Sequence, residues 1–304
     1  MYRKMLSILK SIILKILGLK IFRIIPDDIY IRINYLIYKN KICNLKNPKS
    51  LTEKLQWIKL YDRNPSYIVM VDKYAVRKYI SETLGEEYLI PLLGVWEKFD
   101  DIDFNSLPNQ FVLKCNHDSG SLVICKDKSS LNIEETKRKI NKCLKRNYYY
   151  HAREWPYKNV KPKIICEKYM VDESGIELKD YKLMCFNGKV KYAHVCLNRY
   201  SSKGFNVDFY DPNWKPLPFE MYRPRSDNLI PKPKTFDKMI QFAEKLSKDI
   251  PYLRVDFYEV DGKLYFGELT FFPCSGFQEF KPKSYDYVLG SFIELPPKGR
   301  NYNE

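Results

Sequence analysis

Four residues carry the chemistry that stands out first: Arg254, Asp256, Glu268 and Thr270, all within YLRVDFYEVDGKLYFGELTFFPCSGF at positions 252–277. A carboxylate in an otherwise apolar strand is costly unless it is paired or holds a cation. Hard oxygen ligands on rigid strands suit Mg²⁺ bound together with phosphate oxygens. A guanidinium beside them would steady negative charge developing on a transferring phosphoryl or acyl-phosphate group. A salt-bridge patch uses the same residue types, so the surrounding elements must decide between the two.

The stretch reads as a β-hairpin, two runs rich in Val, Phe, Tyr and Leu around Asp261-Gly262. Because side chains alternate between faces, Arg254 and Asp256 share one face, as do Glu268 and Thr270. A two-residue loop would pair Val260 with Lys263 and turn Asp256 and Glu268 apart. A three-residue loop of Val260, Asp261 and Gly262 would pair Glu259 with Lys263 and set Arg254 opposite Glu268. We expect the second register, or a bulge that does the same job.

Further candidates lie upstream. Lys114 ends a strand predicted over 111–114 and enters the small polar loop CNHDSGS, in which Ser119, Gly120 and Ser121 can turn backbone amides towards a phosphate. Glu167, Lys168, Tyr169 and Met170 end a strand predicted over 163–170, where a hinge between subdomains could face an adenine edge. Asp180 and Lys182 share one strand face, as a binding pair or as an ordinary ion pair.

The elements that must position these residues follow from periodicity. Ser50-Leu51-Thr52-Glu53 has capping-box spacing before a helix, and positions 72–84 predict another. Strands are expected over 88–93 and 122–125, and a basic helix over 133–147. Asn187-Gly188 marks a hairpin between 181–186 and 189–197. A helix over 236–247 leads into the opening hairpin, and the tail after Lys281 reads as peripheral. Residues 3–19 place Arg3, Lys4, Lys10 and Lys15 on one helical arc and Leu and Ile on the other, an amphipathic pattern suited to an anionic membrane surface.

The chain of 304 residues, 45% hydrophobic and 15% aromatic, is long enough for a large core and two or three subdomains. Its net charge of +15 calls for anionic partners. The aromatics are not interleaved with basic residues as in a base-stacking platform, so nucleic acid is not the expected partner. Eight cysteines without a CxxC pair read as buried thiols in a reducing cytoplasm, and three histidines make a histidine-rich metal site improbable.

The order of these signals resembles the ATP-grasp superfamily. That order is Asp72-Lys73, Leu113-Lys114 with its loop, Glu167-Lys168, Asp180-x-Lys182 with Arg199 downstream, Arg254-x-Asp256 and Glu268-x-Thr270. The stretches EKLQWIKLYDRNP, DKYAVRKYI, FVLKCNHDSGS, DYKLMCFNGKV and GELTFFPCSG are similar to its branch named for teichuronopeptide biosynthesis (TupA-like), found among enzymes of bacterial surface polysaccharides. The resemblance covers roughly residues 50–280. It implies an α+β fold of two lobes closing on ATP, 71–165 the first and 166–304 the second; it says nothing of residues 1–45, and the helical pattern there makes 1–70 a helical N-terminal extension.

It further implies that Lys114 and Lys168 hold the nucleotide, that 167–170 read adenine, and that Asp256 and Glu268 carry Mg²⁺. Thr270 stands where the family usually has an asparagine, and Gly120 is a single glycine where the phosphate loop usually has several. Arg254 and Lys182 would act at the reacting group, with Asp180 and Arg199 on nucleotide or acceptor. The implied activity is an ATP-dependent carboxylate-amine ligase acting on a uronic acid or similar acidic component of a surface polysaccharide, with an amine co-substrate. The alternative is a glycosyltransferase of the same pathway using a nucleotide sugar. The expected location is cytoplasmic, peripheral on the inner membrane face.

Overall fold

The computed structural model describes residues 10, 13, 14, 17–173, 175, 178–197, 205–227, 229–300 and 302. Most of the amphipathic helix expected over 3–19 lies outside the described residues, and so does Arg199. Among the described residues no helix is long and apolar enough to cross a membrane.

Helices α1 (Asp27–Lys39), α2 (Leu51–Tyr61), α3 (Ser66–Val71) and α4 (Val76–Thr83) precede the first strand. The capping box at the start of α2 is present, with the Ser50 hydroxyl accepting from the Glu53 amide and the Glu53 carboxylate accepting from the Ser50 amide. The helix expected from 72 starts only at Val76. The Asp72 carboxylate accepts from the amides of Tyr74 and Ala75 at 2.8 and 3.1 Å, a local turn that competes with helical pairing.

The first sheet is antiparallel, in the order β1-β4-β2-β3, from β1 (Leu92–Trp96), β2 (Phe111–Cys115), β3 (Val123–Cys125) and β4 (Ile164–Lys168). Phe111, Leu113 and Cys115 of β2 pack with Ile140 and Cys143 of α5 (Ile133–Leu144) in a compact core. Val112 and Lys114 consequently lie on the opposite face. The strand expected over 88–93 is displaced: Glu86–Tyr88 forms a 3₁₀ turn after Gly85, whose φ is +121°, Leu89 makes an isolated bridge to Phe266, and β1 itself begins at Leu92.

The second sheet, also antiparallel, runs β7-β6-β5-β8-β9. Its strands are β5 (Asp180–Phe186), β6 (Lys189–Leu197), β7 (Asn206–Tyr210), β8 (Tyr252–Val260) and β9 (Lys263–Thr270). β5 is central and buried at every position. The β5–β6 turn holds Asn187 and Gly188 at φ of 46° and 77°, as the sequence implied. β7 was not foreseen. The main core joins this sheet to α2 and to a helix, α6, at Phe236–Leu246, through Leu55, Ile58, Met239 and Ala243.

The tail is not peripheral. Helix α7 (Tyr285–Ser291) lies against the start of α2 so closely that a Cβ on Gly290 would meet the Lys49 carbonyl at 2.3 Å. There Asp286 accepts from the Thr52 amide at 2.9 Å.

The β8–β9 hairpin corrects the expected register. Its loop has two residues, Asp261 and Gly262 at φ of 52° and 73°, and Val260 pairs with Lys263. From the turn as far as Phe257–Phe266 the pairing is the one that would turn the two carboxylates apart. An irregularity between Val255 and Phe257 then shifts it by one residue, so that Arg254 stands opposite Thr270 and Val255 opposite Leu269. Gly267 makes room for the bulge: a Cβ there would lie 3.0 Å from the Asp256 carbonyl oxygen. Arg254, Asp256, Glu268 and Thr270 therefore share a surface through a bulge and not through the loop.

Candidate active site

At the centre of the second sheet, Lys182 of β5 is paired across β8 with Asp256. Asp256 is 1% exposed and fully engaged. The Arg254 Nε donates to its Oδ1 at 2.6 Å and Nη2 to its Oδ2 at 2.8 Å, while the Lys182 ammonium donates to Oδ2 as well. Lys182 also contacts the Asp180 Oδ2 at 2.6 Å. The Arg254 Nη2 reaches on to the Glu268 Oε1 at 2.5 Å, and Thr270 Oγ1 donates to the same oxygen at 3.2 Å. Lys73 lies 3.9 Å from the other oxygen, Oε2. The result is a ladder of alternating charge: Asp180, Lys182, Asp256, Arg254, Glu268, Lys73.

The ladder fixes protonation. Burial alone would raise the Glu268 carboxyl, but Lys73, Arg254, Lys182 and Lys114 outweigh it and hold the group down at about 2. Burial likewise works against the charge on Lys182 and Arg254. Asp180 and Asp256 keep the Lys182 ammonium protonated, and Asp256 and Glu268 do the same for the Arg254 guanidinium.

Two cavities flank this ladder. One, of about 380 Å³, opens between the sheets; Val112, Ile124, Met170 and Leu178 are among its apolar walls, and Lys114, Glu167, Lys168, Tyr169 and Asp180 also line it. Lys114 Nζ is 2.6 Å from the Glu167 Oε2, and Arg77 approaches Oε1 at 3.4 Å. The other, of about 350 Å³, is lined by Lys73, Ser119, Arg254, Glu268 and Thr270 together with Glu154, His151, Tyr157 and Ser275.

Six of the residues singled out from sequence thus line the first cavity, four line the second, and Lys182 and Asp256 lie between them. Two are placed differently. Ser121 is a buried brace, its hydroxyl accepting from the Cys115 amide and donating to Asp118, both at 2.7 Å. Gly120, at φ +101° with open space around it, lines neither cavity. Lys73, Arg77, Tyr258 and Glu154 were not singled out as site residues. The Asp72-Lys73 pair was a visible signal, whereas Glu154 comes to the site from a loop 100 residues before β8 and had none.

Two antiparallel sheets of four and five strands with helices around them, and a nucleotide-sized cleft at their junction, define an α+β protein of the ATP-grasp kind. The chain belongs to the TupA-like ATPgrasp family, whose model matches residues 53–294. Among solved structures it is similar to a D-alanine–D-alanine ligase from Bacillus anthracis complexed with ATP (18% identity, TM-score 0.38), covering 66% of this chain and 55% of that one. It is also similar to a RimK domain ATP-grasp protein from Sphaerobacter thermophilus (10% identity, 77% and 70% covered, TM-score 0.42). A third is the D-cycloserine synthetase DcsG (14% identity, 73% and 69% covered, TM-score 0.37). This chain thus spans little more than half the length of the D-alanine–D-alanine ligase. No match was found among curated proteins.

Proposed function

We propose that this protein is an ATP-dependent carboxylate-amine ligase whose acceptor is a uronic acid or similar acidic sugar of a bacterial surface polysaccharide. The observation that carries the reading is Arg254, which bridges Asp256 and Glu268 while lining the second cavity, with Lys114 and Lys168 on the first. The apolar walls of the first cavity suit a flat base, and Lys114 and Lys168 suit the phosphates that follow it. Arg254 and Lys73 would draw an acid into the second cavity, so that one carboxylate oxygen faces the terminal phosphoryl group.

That oxygen attacks phosphorus, the bond to ADP breaks, and an acyl phosphate forms; Arg254 steadies the charge on the transferring group. An amine then attacks the acyl carbon, phosphate leaves with the bonding electrons, and an amide results. Glu268 with Thr270, backed by Asp256, fits a hard cation that takes its other ligands from phosphate oxygens, since Glu268 is held ionised at the cavity wall. Mg²⁺ there would neutralise phosphate charge. Lys182, enclosed by Asp180 and Asp256, keeps Asp256 in place.

The test is to incubate the protein with Mg²⁺, ATP and a panel of uronic acids, with and without simple amines, and to measure ADP and phosphate. Acid-dependent ADP release that falls at least about 100-fold in Glu268→Gln supports the reading. Wild-type rates in that variant, or release of nucleoside diphosphate from a sugar nucleotide without ATP, overturn it.

A further inference from the structure

One wall of the second cavity carries a carboxyl that is not part of the charge ladder. Glu154, in the loop before the Trp155–Tyr157 turn, lies on that wall yet is only 3% exposed. Its Oε1 accepts from the Ser275 hydroxyl at 2.7 Å. Ser275 belongs to an unusual turn, Cys274-Ser275-Gly276, in which three successive residues have positive φ (50°, 53° and 72°). Two of them are not glycine, so the conformation is strained and must be held by its surroundings.

Lys59 and Gln56 of α2 provide that hold. The Lys59 ammonium, wholly buried, donates to the Ser275 carbonyl at 2.9 Å and to the Gln56 Oε1 at 2.9 Å, and Gln56 donates to the Gly276 carbonyl at 3.0 Å. A helix, a strained turn and a buried lysine thus serve to aim one hydroxyl at one carboxyl. Its charge offsets the burial of the Lys59 ammonium, and its place in the cavity lining also presents it to the space a substrate would fill. Arg254 and Lys73 line the same cavity, and so do Tyr38 and Phe277, whose rings stack at 4.5 Å. The cavity lining therefore offers cations, carboxyls and aromatic rings together.

We propose that Glu154 is the subsite for the amine co-substrate: it binds a primary ammonium group, takes one proton from it, and releases the neutral amine towards the acyl carbon. The inference rests on the ligase reading above. In the step, the ammonium N–H bond breaks and its proton passes to the Glu154 carboxylate. The freed lone pair forms the C–N bond, the C–O bond to phosphate breaks with its electrons on phosphate, and the second N–H proton leaves with phosphate. Glu154 then returns its proton to solvent. Burial pushes the Glu154 carboxyl up, against the opposing pull of Lys59, which makes it a better base than an exposed carboxylate. The Ser275 hydroxyl is a positioning group, holding the carboxylate in one orientation.

The experiment has two arms on the full chain. In the first, propylammonium and ethanolammonium are titrated against the ATP-loaded wild type, Glu154→Gln and Ser275→Ala, and binding is followed by ligand-observed NMR. In the second, ADP release and amide formation from uronic acids are measured with propylamine, and with hydroxylamine, which is unprotonated at neutral pH and needs no base. The expected result is at least tenfold weaker ammonium binding in Glu154→Gln, with amide formation from propylamine lost about 100-fold and hydroxamate formation retained. Ser275→Ala, which keeps the carboxyl, shows a smaller loss and guards against misfolding of the first variant. Ammonium binding equal in wild type and Glu154→Gln, or absent from both, overturns the proposal whatever the ADP assay shows. Absence of acid-dependent ADP release in the wild type overturns the ligase reading instead.

Discussion

The two cavities lie on either side of the same charge ladder and are built on different physics. The first is walled by aliphatic side chains of β2, β3 and the link after β4, with its lysines at the edge. The second is walled by ionised groups and aromatics contributed by α1, β8, β9 and four further segments. An apolar slot with charges at one end recognises a flat group by burial and leaves its phosphates to point charges. A cavity lined by fixed opposite charges recognises its occupant by charge pattern, and it must be held rigid because each misplaced charge is costly. The first tolerates repacking; the second does not.

The largest effect should come from breaking the ladder where it joins the second cavity. Arg254→Met leaves Asp256 and Glu268 without their shared partner. It should cost about 3–5 kcal/mol in urea unfolding, because one member of a buried pair has been removed, and lower ADP release at least about 100-fold. Asp256→Asn with Arg254→Met should recover part of the stability and none of the activity.

Lys114→Ala addresses the first cavity. Glu167 keeps Arg77, so stability should change by about 1 kcal/mol or less, whereas loss of a phosphate-binding charge should weaken ATP binding about 10- to 100-fold by calorimetry. A stability loss as large as that of Arg254→Met would remove the distinction between the cavities.

Gly267→Val tests the bulge that turns Glu268 to the Asp256 side. Its side chain would press on the Asp256 carbonyl, with an expected cost of about 1–3 kcal/mol and a drop in ADP release that leaves ATP affinity unaltered.

The smallest effect is a pH dependence. The Glu268 carboxyl is held at about 2 against an ordinary 4.5, so its ionised form contributes stability that is complete above about pH 4.5 and is lost as the pH falls towards 2. Stability measured from pH 5 to pH 2 should therefore decline less steeply in Glu268→Gln than in wild type.

Much of this was legible in the chain itself. Asn187-Gly188 fixed its turn because a left-handed pair of residues is a local demand, and Asp261-Gly262 placed a turn that closes with two residues where three were expected. The capping box at Ser50–Glu53 was legible for the same reason, since its partners are three residues apart. The helix at 72–84 was misread at its start because Asp72 prefers its own turn, and the first strand was misplaced because Gly85 and the turn after it take up four more residues. The hairpin register was only half legible: the loop obeyed local rules, and the bulge depended on Gly267 meeting the Asp256 backbone, a contact between strands.

The sequence by itself determined the ladder's members on β5, β8 and β9, because charged residues in apolar strands declare themselves through their cost, and it determined the family through their order. Only the tertiary structure decided which carboxylates share a surface, that the Ser121 side chain is a buried brace of its loop, and that Glu154 lines the same cavity as Arg254. Those outcomes depend on backbone shifts of one residue and on contacts over a hundred residues, and neither leaves a local pattern to read.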